Sequence, residues 1–189
     1  GAGADVVSGA TAAVLISVGG GSDDVSVGGG ADTITLGDGD DTLTDTGGDN
    51  TDSGGAGADS ITTGAGDDTI DGGEGANTIV ANDGDNSVTS GSANDTISGT
   101  AGNDTVNSGA GDDTISVGAG LNQVNAAAGD DAITFAGRGA ITAGDGNDTV
   151  SGGGSTIASI IDGGNGDDTI AAGSDADTIS GGAGNDTIA

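Results

Sequence analysis

A branched aliphatic residue returns every nine positions along this chain, and no other feature limits the fold as tightly. The register runs through Val25, Ile34, Leu43, Asp52, Ile61, Ile70, Ile79, Val88, Ile97, Val106, Ile115, Val124 and Ile133, with Asp52 its only polar occupant. Two residues ahead runs a second row: Asp23, Asp32, Asp41, Asn50, Asp59, Asp68, Asn77, Asn86, Asp95, Asp104, Asp113, Asn122 and Asp131. That is nine Asp and four Asn in thirteen registers, and nothing else. Gly-rich stretches such as Gly54-Gly55-Ala56-Gly57-Ala58 precede it. After Ile133 the spacing shortens to Ile141, recovers at Val150, stretches to Ile161 and resumes at Ile170, Ile179 and Ile188. The acidic row resumes with it at Asp148, Asp168, Asp177 and Asp186. Near the start Asp5 fits the row, whereas Ala13 stands where Asp is expected before Leu15. Residues 1–189 therefore read as one repeat array, irregular at 9–18 and 135–161.

Each unit reads as a Gly-rich turn of about six residues and a three-residue strand whose central aliphatic side chain points inward, because strand faces alternate with period two. Two units close one coil, so each aliphatic residue stacks on its counterpart eighteen residues away. The expected fold is all-β: a right-handed parallel β-roll, or β-solenoid, of about ten coils and roughly 50 Å in length at the usual strand spacing. Glycine supplies the positive φ that such turns need. Thr and Ser flank the aliphatic position, as in Thr42-Leu43-Thr44, which suits a solvent-facing β surface.

Composition removes most functions. Thirty-one acidic residues against one basic residue leave a formal charge of −30, which lacks the basic footprint that nucleic acid or an anionic membrane requires. With no His and no Cys there is neither an ordinary zinc site nor a disulfide. Nucleophilic triads, Lys Schiff bases and phosphoryl clamps need residues this chain does not contain. No apolar run reaches the ~18 residues of a membrane span, and no leader-like segment opens the chain, which reads as a mature protein or an excised segment. A charge this high on 44 glycines and a single Phe would ordinarily mean disorder, so another component must drive folding.

Stacking names that component. It aligns Asp23, Asp41, Asp59, Asn77, Asp95, Asp113 and Asp131 on one edge and Asp32, Asn50, Asp68, Asn86, Asp104 and Asn122 on the other. Neighbouring carboxylates one strand spacing apart repel by an amount of order 3 kcal/mol at an effective dielectric near ~20, before screening. No Lys offsets this. Hard oxygen ligands, exposed turn carbonyls and surplus negative charge suit Ca²⁺, whereas Mg²⁺ keeps its waters.

The unit resembles the RTX (hemolysin-type) calcium-binding nonapeptide, G-G-x-G-x-D-x-U-x, of the parallel β-roll proteins. Gly181-Gly182-Ala183-Gly184-Asn185-Asp186-Thr187-Ile188-Ala189 matches it at every position. The resemblance implies that Asp side chains and turn carbonyls of successive coils bracket each of several Ca²⁺ ions. Carried over by position, the ligands are the row from Asp23 to Asp131 together with Asp5, Asp148, Asp168, Asp177 and Asp186. Asn adds no charge, so sites at Asn50, Asn86 and Asn122 are expected to be weaker or shared.

Other motifs carry less. Asp38-Gly39-Asp40-Asp41 is no EF-hand, since its sixth position is Leu43. The sequons at Asn94, Asn103, Asn147 and Asn185 arise from the repeat itself. Pairs such as Asp67-Asp68 and Asp112-Asp113 recur too regularly for an acid–base site, so no enzyme is expected. The stretch 135–161, with Phe135, Arg138, Ile157, Ile160 and Ile161, reads as a bulged coil packing extra side chains, or as a patch where Arg138 meets acidic groups of another chain. The favoured role is an extracellular, calcium-ordered structural segment of a surface-layer, adhesin or fibre protein, on a bacterial surface and self-associating end to end or laterally. The alternative is the calcium-dependent folding and export region of a larger secreted toxin or enzyme. An ice-binding surface ranks third, because Asp71, Val80, Asn107, Gln123, Asn125 and Ala132 break the Thr rows.

Overall fold

The computed structural model describes residues 1–9, 11–153 and 155–189; Ala10 and Gly154, inside the two irregular stretches, lie outside the described residues. The described residues form strands and turns with no helix. They build two parallel sheets, one of eleven strands and one of ten, in which every strand pairs with the strand two places along the chain. Each coil therefore crosses both sheets once. The pairs Val25↔Leu43 and Leu43↔Ile61 in the first sheet, and Ile34↔Asp52 and Asp52↔Ile70 in the second, fix the eighteen-residue repeat.

Stacked aliphatic side chains fill the interior. Val25, Leu43, Ile61, Ile79, Ile97, Ile115, Ile133, Val150 and Ile170 are all at most 1% exposed, and a side chain of this kind contributes about 1.5–3 kcal/mol on burial. Thr33, Thr35, Thr42 and Thr44 face solvent, as the alternation requires.

Many strands run to six residues rather than three, as in Thr33–Asp38, Thr51–Ala56 and Thr69–Glu74. Pairing continues through the glycines, with Gly37↔Gly55 and Gly55↔Gly73 in register. Gly55 has φ of 111°, and a Cβ there would lie 2.0 Å from the Gly37 carbonyl oxygen, so only glycine lets successive coils close at this bend. Each unit also turns three residues inward instead of one. These are the Asp/Asn position, the aliphatic position, and a third two residues further on, occupied by Leu36, Asp45, Gly54 and Thr63 among others.

The start of the chain keeps the nine-residue period, contrary to the sequence reading. Ile16, not Leu15, pairs with Ile34, and Leu15 is 82% exposed. Val14, not Ala13, therefore takes the Asp position. A one-residue slip exchanges the faces of a strand, and two adjacent aliphatic residues leave that slip undecided by hydropathy. In the second irregular stretch Phe135 turns into the tube and is 4% exposed, while Ile161 joins the aliphatic row opposite Ile141. Arg138, Ile157 and Ile160 face outward.

Candidate metal sites in the turns

The Asp/Asn rows lie inside the tube wall. Asp23, Asp32, Asp41, Asn50, Asp59, Asp68, Asn77, Asn86, Asp95, Asp104, Asp113, Asn122, Asp131, Asp148 and Asp168 are all 1–3% exposed. Asp5, Asp177 and Asp186 are half-buried. One file follows the turns into the eleven-stranded sheet and the other the turns into the ten-stranded sheet.

Within each file one side-chain oxygen has a fixed structural task. The Oδ1 atom accepts the backbone N–H of the row residue one coil earlier: Asp23 N to Asp41, Asp41 N to Asp59, Asp59 N to Asn77 and Asn77 N to Asp95, at 2.7–2.9 Å. In the second file Asp32 N reaches Asn50, Asn50 N reaches Asp68 and Asp68 N reaches Asn86, at 2.9–3.0 Å. Where Ser159 stands in place of an amide or carboxylate the ladder still continues, because its hydroxyl accepts the Gly139 N–H at 3.1 Å. Asp and Asn share an oxygen on a one-carbon stem, so both serve here.

The other oxygen has no protein partner. Oδ2 of Asp23, Asp32, Asp41, Asp59, Asp68, Asp95, Asp104, Asp113, Asp131, Asp148 and Asp168 is buried and accepts no hydrogen bond. A buried carboxylate left half-satisfied is costly. Its surroundings worsen the cost. A Cβ on Gly54 would lie 2.4 Å from Asp59 Oδ2 and 2.4 Å from the Gly72 carbonyl, so the glycine keeps open a space bounded by two oxygens. Asn86 shows what that space accepts. Its amide nitrogen, placed where Asp carries Oδ2, donates to the carbonyls of Gly84 at 3.1 Å, Ala81 at 3.2 Å and Asn82 at 3.5 Å. Turn carbonyls thus converge on the position of the second side-chain atom. In an Asp turn the equivalent carbonyls and Oδ2 form an all-oxygen pocket that needs a positive centre. This donor set fits Ca²⁺. Among the described residues no three acidic side chains gather closely enough to hold a metal alone, so the carbonyls are needed to complete the shell.

The electrostatics agree. Burial pushes the Asp131 carboxyl up to about 7 against the Asp113 N–H bond that lowers it, and the carboxylates of Asp113 and Asp148 push it further. Asp148 rises to about 6, again chiefly through burial. Asp41, Asp59, Asp68, Asp95 and Asp104 shift upward for the same leading reason.

Two features escaped the sequence reading, the third inward position and an outer ladder, and one that it did note, Asp52, is buried without a partner. The third inward position borders the pocket, and at Asp45 it adds a buried carboxylate whose pKa burial raises to about 6. Asp52, in the aliphatic row, has neither oxygen bonded and rises to about 7, through burial first and then Asp45, Asp68 and Asp32. An outer ladder runs beside the inner one in the opposite sense: Asp67 N donates to Asp49 Oδ1, Asp85 N to Asp67, and Asn103 N to Asp85, at 2.7–3.0 Å. The sequon residues Asn94, Asn103 and Asn147 serve this ladder as acceptors, for the N–H groups of Asp112, Leu121 and Asp167 at 2.8–2.9 Å. The repetition of Asp-Asp and Asn-Asp pairs was its visible trace.

Comparison with known families gives one result. The family model described as the RTX calcium-binding nonapeptide repeat (4 copies) matches in overlapping stretches that together cover residues 1–156 and 158–189. No curated protein matches the chain.

Proposed function

The chain belongs to the RTX calcium-binding nonapeptide repeat family, and from that premise we propose that it is an extracellular structural segment of a surface-layer, adhesin or fibre protein, which Ca²⁺ orders and assembles. The observation that carries this reading is the file of buried Oδ2 atoms with no protein partner, repeated coil after coil. Bound calcium supplies the positive charge that these oxygens and the turn carbonyls lack. Asp5, Asp23, Asp32, Asp41, Asp59, Asp68, Asp95, Asp104, Asp113, Asp131, Asp148, Asp168, Asp177 and Asp186 hold the ions, and Oδ1 keeps successive turns in register. Near-identical sites along the length suit a rod, whereas catalysis needs one irregular constellation. RTX repeats are typical of secreted proteins, which supports a location outside the cell, where calcium is plentiful.

A far-UV circular dichroism titration of chelator-stripped protein tests the reading. A cooperative coil-to-β transition with Ca²⁺ and none with Mg²⁺ is expected. A β spectrum already present in chelator and unmoved by Ca²⁺ would refute it. Light scattering across the same titration tests assembly: growth beyond the monomer mass supports a fibre or lattice role, and a strict monomer in millimolar calcium removes it.

A further inference from the structure

The two edges of the tube are not equivalent. Along the turns into the ten-stranded sheet, carboxylate and amide alternate: Asp32, Asn50, Asp68, Asn86, Asp104, Asn122. Along the turns into the eleven-stranded sheet the file is carboxylate from Asp5 to Asp186, broken once by Asn77.

The orientation of the amides follows from the inner ladder. Asn86 Oδ1 accepts the Asp68 N–H at 3.0 Å, and Asn122 Oδ1 accepts the Asp104 N–H at 2.9 Å. With the oxygen so engaged, the nitrogen must face the turn. Asn86 Nδ2 meets the three carbonyls described above, and Asn122 Nδ2 donates to the Gly118 carbonyl at 3.0 Å. An amide N–H aimed at those carbonyls neutralises them and would point its hydrogens at any cation placed among them. Asn50 differs, because its Nδ2 has no partner and its own turn carries the Asp45 carboxylate.

We propose that the two edges take up calcium unequally: the turns of Asn86 and Asn122 hold no ion, because their amide nitrogens already satisfy the carbonyls that a cation satisfies in the aspartate turns. The eleven-strand edge is then a file of ions broken at Asn77, whose Nδ2 donates to the Ser90 carbonyl at 3.3 Å, and the ten-strand edge is interrupted more often by coils closed without metal. This rests on the reading of the aspartate turns as calcium sites.

Counting bound calcium on the 189-residue chain by native mass spectrometry, at saturating Ca²⁺, tests it. Asn86→Asp and Asn122→Asp are each expected to bind at least one more ion than the unsubstituted chain, and Asp95→Asn and Asp113→Asn at least one fewer. Asn86→Ala is a second check: it removes the donor without adding charge, so the ion count should hold while the melting temperature of the calcium-loaded protein falls. If Asn86→Asp and Asn122→Asp add no ion to a chain that otherwise binds calcium and folds, or if Asn86→Ala melts unchanged, the inference fails alone. A chain that binds no calcium at all overturns the calcium reading and this inference with it.

Discussion

Asp59 Oδ1 accepts the backbone N–H of Asp41 at 2.9 Å, one coil earlier, while Asp59 Oδ2 meets no protein donor. One carboxylate is thus divided between a coil-to-coil bond and an unpartnered oxygen proposed to meet calcium, and the two roles can be separated by substitution.

Asp59→Asn keeps Oδ1 and removes only the charge; Asp59→Ala removes both. The alanine variant should be less stable than the asparagine variant by about 1–2 kcal/mol, the cost of leaving the Asp41 N–H unpaired inside the wall. Urea unfolding of the calcium-loaded proteins measures the difference, and equal stabilities would deny the ladder its role.

Asp52 sits between Ile34 and Ile70 in the aliphatic row with both oxygens unbonded. Replacing it with Ile restores the stack and removes a desolvated charge, for a gain of about 2 kcal/mol or more. The calcium concentration at the folding midpoint should fall. A midpoint that rises would mean that Asp52 is itself a ligand.

Acid should partly replace calcium. Asp131 and Asp52 rise to about 7 and Asp148 and Asp45 to about 6 from an ordinary 3.8, so the folded chain holds protons that the unfolded chain has released. A raised carboxyl pKa means that stability is fully present below 3.8 and is lost as the pH climbs through about 6 to 7. In chelator, dichroism should therefore show β structure growing as the pH falls from about 8 to about 4.5. A metal-free spectrum that stays coil across this range would contradict it.

Phe135 closes the coil in which Gly139 replaces the row residue. A Cβ on Gly139 would lie 3.3 Å from Phe135 Cδ2, and one on Gly152 would lie 2.4 Å from Cζ, so the ring occupies the space around both glycines. Phe135→Ala should cost about 3–5 kcal/mol through the cavity left behind, with no change in the number of ions bound. A thermal melt and a calcium count decide both halves.

The aliphatic and Asp/Asn rows were legible because each keeps one chemistry apart from isolated exceptions such as Asp52 and Val14, so the nine-residue period stands out at Ile61 as plainly as at Ile170. The third inward position was not, because its occupants run from Leu36 to Asp45 to Thr63, and what they share is the space beside an Asp or Asn side chain rather than polarity. Leu15 and Ile16 differ too little in hydropathy to set a register, which pairing with Ile34 alone decides. The outer ladder hid behind the ordinary habit of exposed Asp and Asn, since nothing in Asp67 or Asn103 taken singly distinguishes an acceptor for the next coil from a solvated side chain.

The opposed senses of the two ladders bear on how such a chain changes length over generations. In each turn the inner bond takes its donor from the earlier coil and the outer bond takes its donor from the later one, so either face of a coil offers one N–H and one oxygen. A duplicated or deleted segment of eighteen residues meets the same complement on both sides. Length is therefore a property that insertion or deletion of whole coils can change without breaking either ladder.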